Sequence, residues 1–141
     1  MEFSIKEFGE LDTRELYEIM RARADIFTLE KGMICRDLDG LDYEALHCIL
    51  TDGGELIAYL RALVYDTSIR LGRVITRTHG LGHGRILMEE SLSALKAKYP
   101  NKKIGVHAQH DAVGFYEKCG FIVTSDEFFE EGVRHFEMEL K

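Results

Sequence analysis

The stretch RVITRTHGLGHGRILM, residues 73–88, changes character twice as it runs. Val74, Ile75 and Thr76 are β-branched and suit a strand. Gly80, Gly82 and Gly84 then fall at alternate positions. From Arg85 onward Ile86, Leu87, Leu92, Leu95 and Tyr99 recur at helical spacing until Pro100 closes the run. The reading is strand, glycine loop, helix. A helix start carries unpaired N–H groups and the positive end of the helix dipole. Glycines let the backbone take φ > 0 and come close to a ligand. Together these features predict an anion site, most naturally for phosphate. No Gly-Lys-Ser/Thr follows, so this is not a P-loop, and the glycine order is not that of a dinucleotide fold. The plain alternative is a turn with three glycines and no ligand.

Outward from this stretch, the elements on the N-terminal side read as follows. Met1 to Phe8 alternates loosely and predicts a short strand. Asp12 with Glu15 three residues on has capping-box spacing. Leu16, Ile19, Met20, Ala24 and Phe27 then mark one face of a first helix, with Arg23 expected on its surface. Glu30 to Tyr43 has no periodicity and carries Asp37, Asp39 and Asp42, so it reads as an acidic loop, either lining a site or merely connecting. Glu44–Leu50, Glu55–Tyr65 and a third run ending at Thr76 predict three antiparallel strands, with a hairpin turn at Asp52-Gly53-Gly54.

On the C-terminal side, Lys103–Ala108 predicts a buried strand parallel to the strand before the glycine loop. His110–Cys119 predicts a short helix stopped by Gly120, followed by a strand at Phe121–Thr124. A turn at Glu131-Gly132 leads into a final strand, Val133–Leu140. The order is β-α-β-β-β-α-β-α-β-β, a mixed α/β class with about seven strands in one domain spanning residues 1–141.

Composition narrows the functional classes. A net charge of −7 disfavours nucleic acid as partner. The longest apolar run, Leu56–Tyr65, is interrupted by Arg61 and is too short to span a bilayer. No secretory leader is read at the N-terminus. Cys35, Cys48 and Cys119 form no spaced framework, which predicts reduced thiols in a cytoplasmic setting. His79/His83 and His107/His110 have ligand-like spacing, but they lie on a loop and a strand end with no cysteine pair, so no metal is expected.

A second motif gives the glycine loop its context. Ala112, Tyr116, Gly120 and Phe121 form A-x-x-x-Y-x-x-x-G-F, and His79-x-x-Gly82-x-Gly84 lies upstream. The pair resembles the GNAT acyltransferase superfamily over nearly the whole chain, with His79 standing where that superfamily usually has Arg or Gln. LYEIMRARADIF, DLDGLDYEALH, AYLRAL, GRVIT and EEGVRHFEM resemble its ElaA-like branch. The resemblance implies a GNAT fold, a mixed, mostly antiparallel sheet opened into a V, with acetyl-CoA bound in the opening as co-substrate. It implies transfer of an acetyl group to a small-molecule or peptide amine. The strand residues Val74, Ile75 and Thr76 would hold the pantetheine arm. The loop residues His79, Gly80, Leu81, Gly82, His83, Gly84 and Arg85 would hold the pyrophosphate. Gln109, Phe115 and Tyr116 would complete the cofactor side.

Direct attack of an amine on a thioester expels a thiolate, and a phenol can protonate it. Tyr116 is the expected acid. For the base, Glu30 comes first and His47 second, the latter for its ordinary pKa near 6.5. Asp37, Asp39 and Glu130 are further candidates. The acidic loop would favour a cationic acceptor. Two other readings stand beside the enzyme: a non-catalytic acyl-CoA sensor or interaction module of the same fold, and a glycine-loop nucleotide binder. An exposed final strand would also pair with a second copy as a homodimer.

Overall fold

A computed structural model describes residues 1–141. The strands are β1 (Glu2–Glu7), β2 (Leu46–Asp52), β3 (Glu55–Val64), β4 (Ser68–Thr76), β5 (Lys103–Gln109), β6 (Phe121–Val123), β7 (Phe128–Glu130) and β8 (Val133–Leu140). The helices are α1 (Thr13–Arg23), α2 (His83–Lys98) and α3 (Val113–Lys118). All strands join one sheet in the order β1-β2-β3-β4-β5-β8-β6, with β7 also on β8. Only β4 and β5 run parallel; the other pairings are antiparallel. No helix is long and apolar enough to cross a membrane.

Local signals explain the elements. Asp12 caps α1: its carboxylate accepts the Glu15 N–H at 2.7 Å, while Glu15 accepts the Asp12 N–H at 3.0 Å. Gly53 and Gly54 both take positive φ, as the tight β2–β3 turn requires. Glu131 and Gly132 do the same between β7 and β8.

Alternation in the strands sorts side chains onto two faces. On one face Cys48, Leu60, Leu71 and Val106 meet Leu87, Met88 and Leu95 of α2 in the larger core. On the other, Ile49, Tyr59 and Ile75 meet Ile19, Ala22, Ile26 and Phe27 in a smaller one. The first helix and its extension thus cover β2, β3 and the end of β4.

Four expectations are corrected. The first helix does not stay α through Phe27. From Ala24 to Glu30 it widens into a π-helix, with Lys31 N–H donating to Ile26 C=O at 2.9 Å. There are eight strands, because Phe128–Glu130 pairs with β8 ahead of the Glu131-Gly132 turn. Arg23 is fully buried (0% exposed) rather than on the surface. The final strand is no edge: β5 lies along one side and β6 and β7 along the other, so it offers no free ladder to a second copy.

Candidate active site

The sheet opens where β4 and β5 part. They pair from Ser68 and Lys103 to Leu71 and Val106, then separate, although β4 continues to Thr76 and β5 to Gln109. A bulge in β4 assists. Arg61 faces Gly72 and Tyr59 faces Ile75, so Arg73 and Val74 share the place opposite Leu60. Arg73 takes φ 53°, which costs a non-glycine residue roughly 1–2 kcal/mol. That cost is offset by its guanidinium, whose Nε donates to Asp37 at 2.7 Å and whose Nη2 donates to Asp37 C=O at 2.9 Å. Beyond Leu71, the β5-facing edge of β4 has no strand partner.

At the top of the split the glycine loop turns into α2. Gly80 and Gly82 take φ 80° and 75°, the latter as the N-cap of the helix. A Cβ on Gly84 would sit 3.4 Å from the Phe115 ring and from Thr76 Cγ2, so glycine lets the helix start close onto both. A hollow of about 370 Å³ lies there, lined by Thr76, His79, Gly80, Gly82, His83, Gly84, Arg85, Phe115 and Lys118 among others. Nδ1 of His83 is enclosed without a hydrogen-bond partner. Helix N–H groups, one lysine and one arginine suit a phosphate there.

Below it, in the split itself, is a cavity of about 410 Å³ that reaches Gly72, Val74, Val106, His107, Gln109 and Tyr116. Tyr116 is 6% exposed. Burial, and then the neighbouring Cys119, push its phenol above the ordinary value, so it stays protonated at neutral pH. Gln109 accepts from Lys31 Nζ at 3.1 Å. The acidic loop walls the opposite side, held by an ion-pair network. Arg23 bonds Asp37 at 3.1 Å and Asp42 at 2.7 Å; Arg61 grips Asp39 at 2.6 and 2.8 Å and reaches Asp42 at 3.2 Å; Arg73 completes it through Asp37. The Arg61 hydrogen bonds hold Asp39 far below the usual carboxylate range.

Comparison with known proteins places this geometry. The acetyltransferase (GNAT) domain model matches residues 33–141. The chain belongs to the GNAT acetyltransferase family. It resembles Escherichia coli ElaA, with 30% identity over 137 residues covering 92% of this chain and 90% of ElaA. The crystal structure of ElaA superposes with a TM-score of 0.92 at 28% identity, all of both chains being covered. A UPF0039 protein of Schizosaccharomyces pombe is 33% identical over 146 residues, covering 100% of this chain and 97% of the relative. An acyl-CoA N-acyltransferase from Pseudomonas aeruginosa superposes over both whole chains at a TM-score of 0.91 and 26% identity. The chain therefore sits on the ElaA-like branch, and its family and fold support acyl-CoA-dependent acyl transfer.

Within this GNAT domain the expected residues fall into separate groups. Tyr116 and Gln109 share the main cavity; His79, the loop glycines and Phe115 share the upper hollow. Glu30 is not in the main cavity. It ends the π-helix and bonds Nε2 of His79 at the glycine loop. His47 is sealed at 0% exposure, with Nδ1 bonded to Tyr59 Oη at 2.7 Å and Nε2 to Asp42 C=O at 3.0 Å. Burial first, then the nearby arginines, lower its pKa despite Asp42. Both its nitrogens are occupied within the protein, away from the split. Asp37 and Asp39 are spent on arginines. Asp37, Asp39 and Asp42 are thus matched by arginines, so the expected pull of the acidic loop on cationic acceptors does not come from them, and the carboxylates left in the cavity lining are Glu130 and Glu131.

The cavity's own ionisable cluster is different. Nδ1 of His107 lies 3.1 Å from Glu130, whose other oxygen is 3.7 Å from Nε2 of His135. Phe128 stacks on His135 and meets His107 edge-on. Of these, only Glu130 stands out in the sequence as a base candidate. The signal for His107 is nonetheless there: Ile104, Val106 and Ala108 alternate inward, which turns His107 to the same face as Gln109.

Proposed function

We propose that this protein transfers an acetyl group from acetyl-CoA to an amine by direct attack within a ternary complex. The observation carrying the reading is the company Tyr116 keeps: a buried, protonated phenol lining the split between β4 and β5, below a glycine-rich helix start suited to a diphosphate. In this reading the unpaired edge of β4 from Gly72 to Thr76 takes the pantetheine amides. The N–H groups from Gly80 to Arg85 take the pyrophosphate, and Gln109 reaches the arm from β5.

His107 takes the base role, with Glu130 as its positioning residue. Donation of Nδ1–H to Glu130 leaves Nε2 free to accept, since Glu137 stands 3.6 Å from it, beyond hydrogen-bond distance. An arriving ammonium gives one proton to Nε2 and becomes a nucleophile. Its nitrogen forms the new C–N bond as the C–S bond breaks. The Tyr116 O–H protonates the departing sulfur, and the second proton lost from nitrogen restores the phenol. A covalent acyl-enzyme is not favoured. Burial pushes the Cys48 thiol up to about 12 and also raises Cys35 and Cys119, so none is an activated nucleophile.

The test is thiol release from acetyl-CoA with a panel of amines, run beside calorimetry with CoA. Tyr116→Phe is expected to bind CoA as the parent does and to lose about 10²–10⁴-fold in kcat. Unchanged turnover removes the acid role. CoA binding with no release on any amine would instead favour a sensor.

A further inference from the structure

The arginines left unpaired in the cavity name a class of acceptor. Asp37, Asp39 and Asp42 are matched by Arg23, Arg61 and Arg73, so that network is neutral as a unit. Outside it the cavity is lined by Lys31, whose ammonium donates to Gln109, by Glu130 and Glu131, the former against His107, and by two further arginines, Arg36 and Arg70. Neither enters an ion pair. The Arg70 guanidinium meets Tyr65, whose hydroxyl lies 3.4 Å from Nη2 and whose ring centroid is 5.9 Å from Cζ. The aromatic side chain orients the arginine without neutralising it.

Arg70 and the base stand on one floor, a short step apart. Arg70 is level with Gly105 on β5, and His107 is two residues further along that strand, roughly 7 Å away on the strand rise. Between them the floor is bare. Gly72 follows Arg70 on the same face of β4, lines the cavity, and a Cβ there would meet nothing within 4 Å. The trough therefore offers a carboxylate-and-imidazole pair at one end, room for a short chain in the middle, and an unpaired guanidinium at the other.

We infer that the acceptor is an amine carrying its own anionic group, carboxylate or phosphate, bound by Arg70, with Arg36 lining the same cavity. This rests on the acetyl-transfer reading above and narrows its substrate. A planar guanidinium holds either anion through two parallel hydrogen bonds. The amine then lies toward His107 and Tyr116.

The experiment compares acceptors of similar length: γ-aminobutyrate, O-phosphoethanolamine, n-butylamine and 1,4-diaminobutane. Thiol release is followed in the parent, Arg70→Gln and Arg70→Lys. In parallel, each amine is titrated calorimetrically into the CoA-loaded protein. Expected is at least tenfold higher kcat/KM, and tighter binding, for one or both anionic amines than for butylamine. Arg70→Gln collapses that ratio through KM, and Arg70→Lys restores part of it. Whichever of the two anions shows the larger ratio is the natural group. Equal handling of all four amines, or preference for the diamine, overturns the inference while leaving acetyl transfer intact. If the anionic amines bind through Arg70 but no thiol is released, the anchor stands and the transfer reading fails. If they neither bind preferentially nor react, the anchor is wrong.

Discussion

Asp42 lines no part of the cavity, yet its removal should be felt there. It accepts from Nη1 of Arg23 at 2.7 Å and from Nη1 of Arg61 at 3.2 Å, and both arginines are all but sealed, at 0% and 3% exposure. Asp42→Ala leaves three guanidinium groups facing two carboxylates. Breaking a buried pair typically costs about 3–5 kcal/mol. Arg23 keeps Asp37, and Arg61 keeps Asp39 at 2.6 Å, so the lower end applies, about 3 kcal/mol. With a urea dependence of about 2 kcal/mol per M, the midpoint falls by about 1.5 M. In heat the drop is about 10 °C. Urea titration followed by tyrosine fluorescence and far-ultraviolet circular dichroism measures this, the chain having no tryptophan. Asp42→Asn keeps an acceptor oxygen and should lose about half as much, since only the charge is removed. The loop from Met33 to Leu41 forms one wall of the cavity, so acceptor KM should rise in Asp42→Ala even where the protein remains folded. A loss below about 1 kcal/mol would falsify the network as the loop's anchor, because exposed pairs are worth that little.

Other perturbations follow from the same geometry. Stability should fall in acid: the pKa values of Asp39 and Asp42 are depressed on folding, so their contribution is complete above the unfolded value near 4 and disappears as pH drops toward the folded ones, which acid titration by circular dichroism would track. A flat profile from pH 5 to pH 2 would contradict it. His107→Gln should cut kcat by about 10²-fold or more, and Glu130→Gln by less, with CoA affinity held in both; equal loss in binding would point to collapse of the site. Gly82→Val forces a β-branched residue to φ 75° and should weaken CoA by roughly tenfold, on a conformational cost of about 1–2 kcal/mol. Glu30→Gln removes the carboxylate bonded to His79 at the phosphate loop, and calorimetry should find CoA binding about two- to fivefold tighter. Weaker binding would mean that Glu30 orders the loop instead.

Much of the framework is written locally. The Asp12 cap, the two-glycine turn after Asp52 and the strand-loop-helix run from Arg73 each depend on neighbours within a few positions, and each forms as read. What escapes the sequence depends on partners far apart along the chain. Arg23 meets acids 14 and 19 residues away, and Arg73 meets Asp37 across 36, so neither the burial of the first nor the neutrality of the loop follows from spacing. The three residues of β7 are too few for alternation to register, although the turn behind them is legible. The bulge at Arg73 is silent because nothing in RVIT announces an extra residue. His47 looks like a base by its chemistry, but only the packed structure reveals that Tyr59 and Asp42 already occupy it.

Arg73 has two jobs that a protein engineer would want to separate and cannot. Its backbone bends the strand that parts from its neighbour, and its side chain fastens the loop that walls the cavity. Transplanting residues 31–43 from a relative to change acceptor preference would therefore also reset how wide the split between β4 and β5 stands. Such a graft should carry position 73 and the acid that meets it as one inherited block.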